Sequence, residues 1–347
     1  MFDVPVFRFP MITMNTSVLS THTRALFNTA VKRAAELLRA GEVVALPTET
    51  VYGLAANALD ADAVAQIYEI KDRPSHNPII VHVASLEMAR RCVANWPKLA
   101  DKLAKAFWPG PLTLVLPRSE IIPDIVTADG STVGVRWPSH PFIQAVIREC
   151  GFPLAAPSAN LSNRVSPTNA GHVRKQLGDK ISLIVDGGQS QVGIESTVLD
   201  LSVSPPQVLR PGMIHAESLA AVVGNIEHRT SNIEHRTLKS PGLLRKHYSP
   251  KAKLVVLNWK DDTELRAHLT PDTSHLTHII AHTHIPSNEC FAHVSVIPHD
   301  AEAFARAIYA ELHRCDEAGA ELIVVEAPPE TAEWRAIADR LNRAAAD

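Results

Sequence analysis

Short apolar runs, each closed by a turn that carries Pro or Gly beside hydroxyl, amide or guanidinium side chains, recur along the first two thirds of the chain. They fall at 43–46, 79–83, 112–116, 132–136, 154–156, 183–186, 197–201 and 208–210. Runs this short read as strands and not as helices. Helical patterns lie among them. One covers 24–40 and stops at Gly41, one runs from an Asp60 cap to Lys71, and one follows Ser85; others lie near 141–150, 169–177 and 217–223. The fold class is α/β. The alternation of strands and helices is irregular, which argues against a clean doubly wound sheet and for a mixed domain of about 200 residues.

The pattern changes near Asn225. There a seven-residue segment, 225–231, is repeated as 232–238 with only the last residue different. A tolerated duplication points to exposed chain of variable length. Beyond it, strands are expected at 254–257, 278–281, 293–297 and 322–326, and helices near 263–269, 301–318 and 331–345. The expected organisation is a tail (1–20), a catalytic domain (21–224), a linker (225–252) and a smaller α/β domain (253–347). The smaller domain has neither GxGxxG nor GxxxxGK[ST] to announce a nucleotide site.

Composition narrows the function classes. The chain has 347 residues, 46% hydrophobic and 20% charged, with a formal net charge of -3. That is a globular composition with ample length for a core. Residues 41–213 hold 15 basic and 16 acidic side chains, a net of -1. Broad coating of RNA or DNA is therefore disfavoured, and any positive potential must be local, as in a pocket. The four cysteines form no CxxC pair and read as reduced structural thiols. No apolar run approaches the roughly 18 residues of a membrane span, and the N-terminus lacks the apolar stretch of a signal peptide. The expected location is the cytoplasm, with no membrane partner.

Six segments concentrate the chemistry: 47–53, 71–82, 132–136, 156–166, 195–197 and 210–212. Each sets hydroxyl, amide, Lys or Arg groups beside residues that fix a turn. An Arg fork suits a carboxylate or phosphate, and Lys supplies a point charge. Singly, each is more often a helix cap or a solvated charge. Together they suggest a cavity for an anionic ligand.

Seven ordered motifs sharpen this: PTETVYGLAANA, K-x-R-P-x-x-N-P-I-I-V-H, FWPGPLTLVL, VGVRWPSHP, APSANLSNRVSPT, GIESTVLDL and LRPGMI, followed by HYSP in the linker. With these the chain resembles the Sua5/YrdC family of threonylcarbamoyl-adenylate synthases, in the long Sua5 form, over nearly all of its length from about residue 24. The resemblance implies a YrdC-like mixed twisted sheet with helices and a smaller Rossmann-like C-terminal domain. It implies ATP, L-threonine and bicarbonate as substrates, Mg2+ with the ATP, and a product passed to a tRNA threonylcarbamoyl transferase complex. Direct contact with tRNA is left open, and no protein side chain is assigned to metal. By motif position, Lys71 and Arg73 are assigned to catalysis. Thr50, His82, Arg136, Ala156 and Ser196 would line the threonine side, with Arg136 gripping the carboxylate by both arms. Arg73, Asn77, Thr132, Ser158, Ser166, Arg210 and Tyr248 would hold ATP, with Tyr248 closing over it. The rival reading is an RNA-binding or ribosome-associated module without adenylating activity.

Asp72 departs from the small residue usual in K-x-R-P and is expected to face solvent or approach the metal. His278, His282 and His284 read as surface histidines. Arg335, Arg340 and Arg343 lie on an amphipathic terminal helix expected to pack on its own sheet.

Overall fold

A computed structural model describes residues 16–228, 238–242, 246–269, 276–287 and 291–346. The strands of the first domain are β1 (Ser17–Ser20), β2 (Val44–Leu46), β3 (Gly53–Asn57), β4 (Val81–His82), β5 (Leu112–Pro117), β6 (Thr132–Arg136), β7 (Leu154–Ala155), β8 (Leu183–Asp186), β9 (Thr197–Asp200), β10 (Gln207–Arg210) and β11 (Glu227–His228). Its helices are α1 (Arg24–Arg39), α2 (Ala61–Lys71), α3 (Leu86–Arg91), α4 (Lys98–Phe107), α5 (Asp124–Thr127), α6 (Pro141–Cys150), α7 (Ala170–Leu177) and α8 (Ala216–Val223). The second domain contains β12 (Lys253–Leu257), α9 (Asp262–Ala267), β13 (Thr277–Ala281), β14 (His293–Val296), α10 (Ala301–Glu317), β15 (Leu322–Glu326) and α11 (Arg335–Ala344).

The first domain is built on one 11-stranded mixed sheet in the order β1-β8-β2-β3-β7-β4-β6-β5-β9-β10-β11. Its register creates the site. His82 pairs with Arg136, Arg136 with Thr113, Thr113 with Val198, and Val198 with Arg210, one row across five strands. Paired residues share a face, so these side chains project together. The alternation in β5 and β6 follows. Leu112, Leu114, Leu116, Val133 and Val135 enter the main core, while Thr113, Val115, Thr132, Gly134 and Arg136 take the other face. At β10 the register shifts between Val208 and Arg210. Val208 joins the main core, Leu209 packs with Ile80, Val115 and Val198, and the bulge re-aims Arg210 toward the site.

Local sequence explains the helices that brace this sheet. The Thr23 hydroxyl accepts from Leu26 N to start α1, and Asp60 accepts from Asp62 N and Ala63 N to start α2. Helix α1 buries Ala30, Val31, Ala34, Leu37 and Leu38, a helical spacing, and meets α6 through an edge-to-face Phe27–Phe142 contact at 5.2 Å. Helices α2, α4 and α7 add apolar faces to the main core.

The second domain is a parallel four-stranded sheet, β12-β15-β13-β14, with α9, α10 and α11 between and after its strands. It does not stand apart. Val51, Val165 and Ile194 of the first domain belong to the same buried cluster as Phe304, Ala305, Ile308 and Tyr309 of α10. The Gly193 backbone reaches α10 so closely that a Cβ there would lie 2.3 Å from the Ala305 carbonyl oxygen, and its φ is +85°.

Several expectations need correction. Residues 17–20, read as tail, form edge strand β1, which pairs parallel with β8. The large sheet extends past residue 224, because β11 pairs with β10. Strand β3 and helix α4 were not anticipated. The duplicated segment lies for the most part outside the described residues. His278 and His282 are buried, not on the surface, and His282 Nδ1 lies 2.8 Å from His299 Nδ1. Helix α11 does not serve only its own sheet, since Arg340 reaches into the first domain. Among the described residues no helix is long and apolar enough to cross a membrane.

Gly193→Ala is expected to lower unfolding stability by about 2 kcal/mol or more, from overpacking together with the positive φ. Denaturant unfolding of the full chain measures it; an unchanged midpoint would show that α10 does not press on this turn.

Candidate active site

Two adjoining cavities lie on the site face. The larger is walled by Thr48, Thr50, Val51, Gly53, Arg73, Ile80, His82, Arg136, Ala156, Pro157, Ser158, Glu195, Ser196, Arg210, Pro241, His247 and Tyr248. The smaller is a closed seam, with Thr132, Gly134, Ile80, Val115 and Val198 in its wall and Lys239, Ser240 and Pro241 of the linker beside them. Ile80 and Pro241 belong to both.

Each wall segment has a local reason for its position. Strands β2 and β3 pair antiparallel with Leu46 opposite Gly53, which turns residues 47–52 into a loop over the sheet end. Gly53 bridges Ser158, bringing the 156–160 turn against that loop. Lys71 braces this turn from behind, its Nζ donating to the carbonyl oxygens of Ser158, at 2.6 Å, and Asn160. Burial, with the Arg73 charge adding, pushes the Lys71 ammonium well below the ordinary lysine pKa. Arg73 donates from Nε to Asn77 O (3.0 Å) and from Nη2 to Pro78 O (2.6 Å), and burial lowers its pKa to about 10. Arg210 is held by Ser196, Nε to the carbonyl oxygen and Nη2 to Oγ, each at 3.1 Å. Its Nη1 reaches Pro241 O of the linker at 3.4 Å.

Arg136 is already engaged. Its Nη2 lies 2.7 Å from Glu49 Oε1, and its Nη1 donates to Thr50 Oγ1 at 3.0 Å. Burial opposes charge on Glu49, but Arg136 and the Ser139 N–H hold its pKa below the usual value. The free two-armed grip expected of Arg136 is thus not what the structure presents. His82 beside it is kept neutral by burial and then by the Arg136 charge, with a pKa of about 3. His82 Nδ1 and Glu49 Oε2 are buried without a protein partner, and a polar ligand could satisfy such atoms.

The linker forms the roof. Lys239 Nζ bonds Asp200 Oδ2 at 2.8 Å and Ser202 Oγ at 2.9 Å. Tyr248 is fully buried, and a Cβ on Gly242 would lie 2.5 Å from its hydroxyl. Gly242 has φ +81°, so both its conformation and its neighbours call for glycine.

Of the residues singled out by motif, Thr50, Arg73, His82, Arg136, Ala156, Ser158, Ser196, Arg210 and Tyr248 line the larger cavity, and Thr132 lines the smaller. Lys71, Asn77 and Ser166 line neither. The Ser166 hydroxyl donates to Glu195 Oε1 at 2.6 Å. Asp72 is exposed and left-handed, φ 51° and ψ 49°, as the residue that ends α2. A small residue or Gly suits that position for conformational reasons, and Asp is among the few others that adopt it. Glu49, Glu195 and Lys239 went unassigned. The first two stand inside quoted motifs, but no local pattern shows which buried cation each one meets.

Comparison with known proteins bears on this arrangement. A family model named Sua5_yciO_yrdC, described as "Telomere recombination", matches residues 36–212. A second, described as "Threonylcarbamoyl-AMP synthase, C-terminal domain", matches residues 214–346. The chain belongs to the Sua5/YrdC family, in its long Sua5 form. Among relatives of the family, threonylcarbamoyl-AMP synthase of Pyrococcus abyssi is 39% identical over 90% of this chain and 93% of its own length. That of Bacillus subtilis is 41% identical over 91% and 92%. The crystal structure of P. abyssi Sua5 complexed with L-threonine superposes with a TM-score of 0.87 at 37% identity, covering 95% of this chain and 98% of that one.

Asp72→Gly is expected to leave the KM for ATP and the metal dependence of turnover unchanged and not to lower the unfolding temperature. A raised KM would assign Asp72 a direct role. Stability is also expected to fall as pH drops from about 6.5 toward 4. His82, His172 and His247 are each held near pKa 3, largely by burial. In that window the unfolded chain takes up protons that the folded chain refuses, at up to about 1.4 kcal/mol per pH unit for each histidine. Below about 4.5, protonation of Glu195, whose folded pKa is about 2, adds to the loss. Denaturant midpoints from pH 7.5 to 4.5 measure this, and His82→Gln should flatten the slope.

Proposed function

We propose that this chain is an L-threonylcarbamoyladenylate synthase. It converts L-threonine, bicarbonate and ATP into threonylcarbamoyl-AMP and pyrophosphate, for threonylcarbamoylation of adenosine in tRNA. The product then passes to a tRNA threonylcarbamoyl transferase complex in the cytoplasm. The observation that carries the reading is one cavity walled by three guanidinium groups, Arg73, Arg136 and Arg210, in a chain of net charge -3. The name shared by the P. abyssi and B. subtilis relatives supports it over an RNA-binding module.

The chemistry has two steps. The threonine amine attacks the carbon of CO2 derived from bicarbonate and loses a proton, giving a carbamate. A carbamate oxygen then attacks the α-phosphorus, the bond from that phosphorus to the bridging oxygen breaks, and pyrophosphate leaves. Catalysis of such a transfer is mostly positioning and charge stabilisation. Arg73 and Arg210 suit this because backbone carbonyls already hold them, so little reorganisation remains to be done. Lys71 acts behind them, holding the Ser158–Asn160 turn and not the phosphates. Mg2+ is assigned to ATP as Mg2+-ATP. The ion neutralises phosphate charge. The nucleoside end is assigned to the Thr132 side, which Lys239, Ser240 and Pro241 of the linker cover.

Threonine is assigned to the end with Thr50, His82 and Arg136. There Arg136, held by Glu49, is a fixed polar part of the wall. Discrimination against valine requires a partner for the threonine hydroxyl, and Thr50 Oγ1 and Ser196 Oγ are wall hydroxyls of the right kind. Pro241 and Tyr248 shield a mixed anhydride that water would hydrolyse.

With ATP, Mg2+ and bicarbonate, pyrophosphate release is expected to depend on L-threonine and to be weak with valine or serine. Arg73→Ala should lower kcat/KM by roughly 100-fold or more, as removal of a fixed donor to developing charge does elsewhere. Release indifferent to threonine would overturn the reading.

A further inference from the structure

Arg340 belongs to α11, in the second domain, yet it is only 1% exposed. It touches three segments that reach the cavity. Its Nε donates to Glu195 Oε2 at 2.8 Å, next to Ser196. Its Nη2 donates to Pro211 O at 3.0 Å, next to Arg210. Its guanidinium carbon lies 5.2 Å from the centre of the Tyr248 ring. A second residue of the same domain, Tyr309, donates its hydroxyl to Glu195 Oε2 at 3.0 Å. The Ser166 hydroxyl donates to Oε1 at 2.6 Å.

Glu195 is therefore committed on both oxygens although it lines the cavity. Burial opposes its charge, but Arg340 and Arg210 hold its pKa at about 2. It is a fixed anion at neutral pH and not a proton carrier. Its backbone continues into Ser196, which fixes two nitrogens of Arg210. The chain of contacts runs from α11 through Glu195 and Ser196 to a cation on the nucleotide side, and in parallel from α11 to the roof residue Tyr248.

We propose that Arg340 is a positioning residue for the adenylation step: from the second domain it sets Glu195, the end of β10 and the Tyr248 ring, so that the ATP side of the cavity is complete only with that domain in place. This rests on the functional reading given above. It assigns the second domain a part in the catalytic site. It also explains why a charge was buried there: a lone Glu195 would be costly, and the Arg fork satisfies it while holding two other segments.

The test is steady-state pyrophosphate release by the full chain, with ATP and threonine varied separately. Arg340→Lys keeps the charge and loses the fork. Tyr309→Phe removes one hydroxyl and is tolerated on volume grounds. Both are expected to raise the KM for ATP, by roughly tenfold for Arg340→Lys and severalfold for Tyr309→Phe, while the KM for threonine stays within about twofold. A purely structural role would instead lower the unfolding temperature and the active fraction, with both KM values at wild type, and that result overturns the proposal. If Arg340→Lys does not fold, Tyr309→Phe decides, and a wild-type KM for ATP in that variant overturns it equally. Wild-type protein without threonine-dependent release would sink the functional reading itself, a failure distinguishable from either.

Discussion

Strand register is the constraint on which the rest depends. Residues paired across a sheet must share a face, so the row His82, Arg136, Thr113, Val198, Arg210 delivers two cations, an imidazole and a hydroxyl to one surface from five strands distant in sequence. A slip of one residue in β6 would send Arg136 into the core and Val135 into the cavity. The main core guards against this, because Val133 and Val135 pack there with Leu112, Leu114 and Leu116. Packing on one face thereby secures chemistry on the other.

Burying three arginines in a nearly neutral chain raises a second demand. Each needs partners before any substrate arrives, and each has them: Arg136 with Glu49 and Thr50, Arg73 with two backbone carbonyls, Arg210 with Ser196 and the linker. Carbonyl partners leave the positive charge uncancelled, so Arg73 and Arg210 still present a field to an anion. A carboxylate partner does not, and Arg136 with Glu49 acts more as a polar wall. The same type of side chain thus takes different parts according to what it is bonded to.

Much of this was legible beforehand, for reasons that differ by residue. The strand alternation of TVGVR and LTLVL shows which residues share a face, and the turn residues beside them mark where strands end. Lys71 was legible as a motif residue but not as a brace, because nothing in K-x-R-P says that its amine meets the Ser158 and Asn160 carbonyls. Asp72 illustrates the reverse: its oddity as chemistry dissolves once φ is known to be 51°. The bulge that turns Arg210 toward the site has no signature in QVLR, since one extra residue in a ladder depends on the partner strand.

By itself the sequence determined most of the elements, the α/β class, the family and the set of polar segments, because these rest on local periodicity, turn chemistry and ordered motifs. Only the tertiary structure decided which of those groups meet. Glu49 finds Arg136, and Glu195 finds Arg340, 145 positions away on a helix of the other domain. Gly193 is needed because a helix carbonyl occupies the space of its missing side chain. Such pairings depend on long-range register and domain docking, which reflect the packing of the whole chain and leave no mark on any short stretch of it.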